Sequence, residues 1–271
     1  MNRFLPVCIL GLLLSPILGA QDRAAQVEEI LSLNGSIRQY EGFSETMGQL
    51  NEQMKGSSGA DASSVIARII LEEFSGASIS ARVKDYLIDH FDQESCDAIR
   101  AAYADPLFLR ITEDEVAASS AEFQARLESY DYGKVPDERD KLYAAMLDSL
   151  HAVETQERSL ISAMRAYFSI FNLILPRDRK LGQAVIEGAI DSVRDMVRSE
   201  EFLMQLKTMY AIIYGGYTEE ELLRYMALYE SPEGRWMSEA ADAGFREALV
   251  DIMEASAQRI IEELGLQAEN T

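Results

Sequence analysis

Tyr103-Ala104-Asp105-Pro106 and Tyr229-Glu230-Ser231-Pro232 stand 126 positions apart, in a chain whose apolar residues recur three and four apart almost throughout. That spacing is the signature of amphipathic helices. Alternating β-branched runs and Asn-Gly hairpin signals are missing. Pro106, Pro136, Pro176 and Pro232 each fall where one helical pattern stops and another begins. Proline is tolerated at a helix's first position but costs about 3 kcal/mol in its interior. The expected fold is therefore all-α, a multi-helix array built from two tandem copies of one helical module.

The copies align in two stretches. At the shift of 126, Phe91, Cys96, Ile99, Tyr103, Pro106, Ile111, Phe123 and Leu127 fall on Tyr217, Leu222, Tyr225, Tyr229, Pro232, Met237, Leu249 and Met253. At a shift of 117, Ile30, Leu33, Gln39, Phe43, Met47, Leu50 and Met54 fall on Leu147, Leu150, Gln156, Leu160, Met164, Tyr167 and Phe171. The difference places about nine extra residues between Asn172 and Ser199 of the second copy. Asp92, Asp105, Thr218 and Ser231 are expected N-caps, with Thr218 to Glu221 as a capping box. Gly215-Gly216 is expected to end a helix, and His151 to lie inside a long one. Residues 1–20 then read as a signal peptide, 21–133 as a degenerate first repeat, and 134–271 as the second, with Tyr130–Asp137 connecting them. Cys96 occupies a leucine's place in the other copy and reads as a small core residue.

The leader carries Arg3, an apolar run from Phe4 to Leu14 and small residues Gly19 and Ala20, the layout of a cleavable secretory signal. Pro6, Gly11 and Pro16 interrupt the run, which is shorter than the ~20 residues of a membrane span. Cys8 lies inside it and is lost with it, so no intramolecular disulfide is expected. Export to the periplasm, or beyond the cell, is expected, with no transmembrane segment after cleavage. The net charge of −21 becomes about −22 once Arg3 is removed. That surface repels phosphate backbones and anionic headgroups, so nucleic-acid and membrane-surface roles are set aside.

Glu221-Leu222, followed by Leu228-Tyr229-Glu230-Ser231-Pro232-Glu233-Gly234, resembles the motif of a secreted bacterial family known as domain of unknown function 2059. The family's pattern is Glu-Leu, then aromatic-Tyr-x-Ser-Pro-x-Gly and usually a lysine. Leu228 stands here for the aromatic and Trp236 near the lysine. The likeness covers residues 210 to 240; the first copy keeps Tyr103 and Pro106, with Asp105 for serine and Phe108 for glycine. The resemblance implies a helical exported protein and no established activity. The residues themselves read as structural: Ser231 and Pro232 set a bend, Tyr229 packs inward, and Gly234 allows a close helix approach.

No catalytic, cofactor or metal constellation is expected. His90 and His151 stand alone, without HExxH, a cysteine pair or GxSxG. The Tyr210–Tyr217 segment has glycines but neither the strand nor the lysine of a phosphate loop. The 46 acids offer carboxylates for glycosidic chemistry, yet no pair is singled out. Met209, Tyr214, Tyr217, Tyr225 and Trp236 in the second copy form the candidate groove, with core packing as the simpler account. The expected function is that of a non-enzymatic exported envelope protein, an interaction or structural module with an unknown protein partner or hydrophobic ligand. A binding module for a hydrophobic ligand or peptide is the alternative, and an uncharacterised hydrolase the second.

Overall fold

Each expected cap is made. In the computed structural model, which describes residues 22–42, 62–174 and 180–265, the Asp92 carboxylate accepts the Ser95 amide at 2.7 Å, and that of Asp105 accepts the Leu107 amide at 2.9 Å. Thr218 and Glu221 close a reciprocal capping box, and the Ser231 hydroxyl accepts the Gly234 amide at 3.0 Å. Such contacts satisfy amides that have no partner inside the helix. They start α5 (Gln93–Tyr103), α6 (Pro106–Ala117), α12 (Glu219–Glu230) and α13 (Pro232–Glu263).

The remaining helices are α1 (22–33), α2 (36–42), α3 (Ala62–Glu73), α4 (Gly76–Asp89), α7 (Ala121–Ser129), α8 (Asp137–Ser149), α9 (Ala152–Ile174), α10 (Gln183–Val197) and α11 (Glu200–Tyr214). No strand occurs among the described residues. The leader with Cys8, the matched residues Phe43, Met47, Leu50 and Met54, and Pro176 lie outside them. The Tyr130–Asp137 connection contains a single 3-10 turn, Tyr132–Lys134. Asn172 brackets the joint between α9 and α10, its side chain bonding both the amide and the carbonyl of Leu181 at 2.7 and 3.1 Å.

Five of the matched pairs are buried at both positions. Cys96 and Leu222, Ile99 and Tyr225, Ile111 and Met237, Phe123 and Leu249, and Ile30 and Leu147 are all buried. Cys96 is a free, buried thiol whose pKa burial pushes up to about 11, so it packs as an inert apolar side chain. Residues from α1, α2, α4, α5, α6, α8, α11, α12 and α13 join in one apolar cluster. The 32-residue α13 is its pillar, packing against α3, α4, α5, α9 and α12. A smaller cluster around Ile69 and Ile260 fastens α3 to the far end of α13.

Two local features depart from or refine the sequence reading. His151 does not lie inside a helix; it breaks α8 from α9 with a left-handed φ of 47°. The break between α1 and α2 is made in the same way by Gly35, at 76°. Gly215 ends α11 as expected, but with a right-handed φ of −62°. There the Arg139 guanidinium donates to the carbonyls of Tyr214 and Tyr217, both at 3.0 Å. An arginine from α8 thus satisfies the last carbonyl of α11 and one in the turn that follows it, where a left-handed cap is not used.

Candidate functional site

A cavity of about 500 Å³ lies where α2, α5, α6, α9, α12 and α13 meet. Two matched pairs line it: Gln39 with Gln156, and Tyr103 with Tyr229. The glutamines and Ser238 are exposed, while Tyr40, Ile99, Tyr103 and Met237 are buried, so the cavity runs inward from a polar rim. Volume and mixed lining match those of small-molecule sites.

Local sequence explains how the tyrosines arrive. Tyr103 is the last residue of α5, on the face it shares with Cys96 and Ile99. Tyr229 lies one residue before the end of α12, on the face of Leu222 and Tyr225. Asp105-Pro106 and Ser231-Pro232 then turn the chain sharply. At Gly234 a Cβ would fall 1.9 Å from the Leu228 carbonyl oxygen and 2.9 Å from the Tyr229 Cα, so only glycine lets α13 leave α12 at this angle. Gly234 also lines the cavity. Glu221 has a second task besides its cap: it pairs with Arg110 of α6 at 2.6 Å. Leu222 is fully buried, and Asp105 pairs with Arg224, fixing α6 to α12.

Glu115 contributes one of the cavity's two carboxylates. On α6 it follows Leu107 and Ile111 at helical spacing, which puts a carboxylate on the apolar face. The Tyr214 hydroxyl donates to its Oε1 at 2.6 Å, and the Tyr225 hydroxyl donates to the same oxygen. Tyr225 lies 3.2 Å from the Tyr229 hydroxyl. A phenol has one proton, and that of Tyr225 goes to the carboxylate, so Tyr229 supplies the proton of this second bond. Next to Glu115, Asp114 accepts from the Tyr217 hydroxyl. Burial raises the Glu115 pKa above its ordinary 4.5, opposed by donation from Tyr214 and Tyr225. Burial also raises the tyrosines, Tyr40 and Tyr103 to about 12 and Tyr214, Tyr225 and Tyr229 well above 10. They are neutral hydrogen-bonding phenols, not bases.

The second cavity carboxylate, Asp242 on α13, is held by Arg158 at 3.1 Å and Arg246 at 3.6 Å. Nearby, the rings of Tyr40 and Phe245 stack in parallel, 5.7 Å between centroids. None of the described lining residues is Lys, Arg, His or Cys.

The five candidate-groove residues lie elsewhere. Tyr214, Tyr217 and Tyr225 are buried in the core, Met209 and Trp236 are partly buried, and none lines the cavity. Tyr214 and Tyr225 act on the cavity through Glu115. His90 is exposed and stacks on Tyr86 at 4.0 Å; His151 is exposed at its helix break. No group of three potential ligands placed to hold a metal occurs among the described residues, and no described helix is long and apolar enough to cross a membrane. Sequence reasoning missed Glu115, although its spacing from Leu107 and Ile111 was a signal. It also missed Tyr40, Asp242 and Phe245.

Fold and cavity define an all-helical protein with a tyrosine- and carboxylate-lined internal site. No family model, curated protein or solved structure matches the chain.

Proposed function

We propose that the protein is a non-catalytic, exported binding protein whose small-molecule ligand occupies the cavity between the two helical copies. The observation that carries this reading is the convergence of the matched pairs Gln39/Gln156 and Tyr103/Tyr229 on one space of about 500 Å³. A purely structural role would leave that space to be filled by side chains, since interiors are otherwise close-packed. The leader sequence supports an envelope location. Membership of the exported family that residues 210–240 resemble is part of the proposal, and Tyr229 and Gly234 of that motif are cavity residues.

The lining favours a polar ligand over a fatty acid, because no described lining residue carries a positive charge to meet a carboxylate. A hydrolytic reading has little to draw on. Asp242 is engaged by two arginines, and no histidine, cysteine or lysine is present among the described lining residues to form a nucleophile–base pair.

Ala241, half-buried on the cavity wall, supplies the test. Native mass spectrometry after exposure to envelope extract is expected to show a small-molecule adduct on the wild type and none on Ala241→Trp. Equal adducts on both proteins, or none on either, would contradict the reading.

A further inference from the structure

We propose that the cavity selects an organic ammonium ligand, a protonated amine or quaternary nitrogen, seated against Glu115 and the rings of Tyr103 and Tyr229. This inference rests on the binding reading and names its ligand class.

Glu115 lines the cavity without a basic partner among the described residues. Both tyrosine donors meet on Oε1, so Oε2 has no donor among the described residues. Asp242, by contrast, already has Arg158 and Arg246. The site therefore contains one partly buried carboxylate whose ionised form lacks a countercharge among the described residues. Isolated buried charges are strongly disfavoured, and a cation brought by the ligand removes that penalty.

The aromatic lining fits the same chemistry. Tyr103 and Tyr229 flank the carboxylate's hydrogen-bond network, and their hydroxyls stay protonated, so the rings add no competing anion. A cation over such a ring is attracted by its quadrupole, most strongly once desolvated. Anions meet the opposite situation: two carboxylates in the lining, no described lining cation, and a chain of net charge −21 that concentrates cations around itself. Gln39 and Gln156 at the rim can bond a polar remainder of the ligand. A neutral sugar would use those amides too, but would leave Glu115 uncompensated.

Calorimetric titration with choline, spermidine and tyramine as ammonium probes tests the assignment. 3,3-Dimethylbutan-1-ol (the uncharged carbon isostere of choline) and glucose serve as neutral probes, and hexanoate as the anion. At least one ammonium is expected to bind at least ~10-fold more tightly than every neutral or anionic probe, a margin of about 1.4 kcal/mol. Glu115→Gln should weaken that binding by ~10-fold or more. Should that variant not fold, Tyr229→Leu should weaken it and Tyr229→Phe should largely retain it. Neutral or anionic probes binding as tightly, or an extract-derived adduct without a basic nitrogen, would overturn the ammonium assignment and leave the binding reading standing. No uptake of any probe together with no adduct from extract would overturn both.

Discussion

Glu115 shows how one residue sets the character of the interior. Its position after Leu107 and Ile111 was readable in the sequence, yet it sits in the acidic run Glu113-Asp114-Glu115, which by composition resembles a solvated face. Helical phase, not composition, decides which of the three turns inward. The groups around it are Asp114 on α6, Tyr103 on α5, Tyr210 and Tyr214 on α11, and Tyr225 and Tyr229 on α12. Since burial raises its pKa in the folded chain, the carboxyl is protonated in both states below 4.5 and its contribution is then fully present. As pH climbs from there through the raised folded value, the unfolded chain ionises first and stability is lost. Glu115→Gln removes that loss, so its stability relative to wild type should improve between about pH 5 and about pH 8 in urea unfolding. An unchanged difference at the two pH values would refute this. His151 makes a second residue-scale case. A left-handed conformation costs a side-chain-bearing residue about 1–2 kcal/mol, partly offset by the backbone entropy that glycine gives up. His151→Gly at this exposed break should stabilise by about 0.5–1 kcal/mol in thermal melts; a fall of similar size would contradict the assigned backbone.

At the scale of elements, local chemistry made the starts of α5, α6, α12 and α13 legible. Asp105-Pro106, Thr218 to Glu221 and Ser231-Pro232 each begin a helix through contacts within a few residues, which a sequence displays directly. The α8–α9 break was not legible because Leu150-His151-Ala152 contains neither glycine nor proline. The α12–α13 bend has separable parts that can be ranked. Ser231→Ala removes one cap and should cost about 1 kcal/mol. Gly234→Ala drives a methyl into the backbone at Leu228 and Tyr229, which cannot yield as a side-chain tip would, and should cost about 1–3 kcal/mol. Chemical denaturation of both variants checks the order. If Gly234→Ala were the milder, the close approach of α13 to α12 would not be the constraint described.

Across the whole molecule, apolar periodicity and the proline joints marked the helical plan, and the matched positions marked part of the core, from Ile30 and Leu147 to Phe123 and Leu249. The cavity could not be read in the same way. Its walls come from six helices between Asn34 and Phe245, and a space depends on how far apart helices pack, which no local pattern records. The candidate groove was drawn from the densest Met/Tyr segment, and density marked the core. Tyr103 and Tyr229 carried both meanings at once: they close the buried faces of α5 and α12, and they border the space those helices leave open. Hydrogen–deuterium exchange of the full protein, with and without the small-molecule fraction of envelope extract, tests the central claim that this space is a binding site. Added protection is predicted in residues 36–42, 99–103 and 228–242, in α2, α5, α12 and α13 together. Unchanged exchange there, or protection confined to α10 and α11, would contradict it.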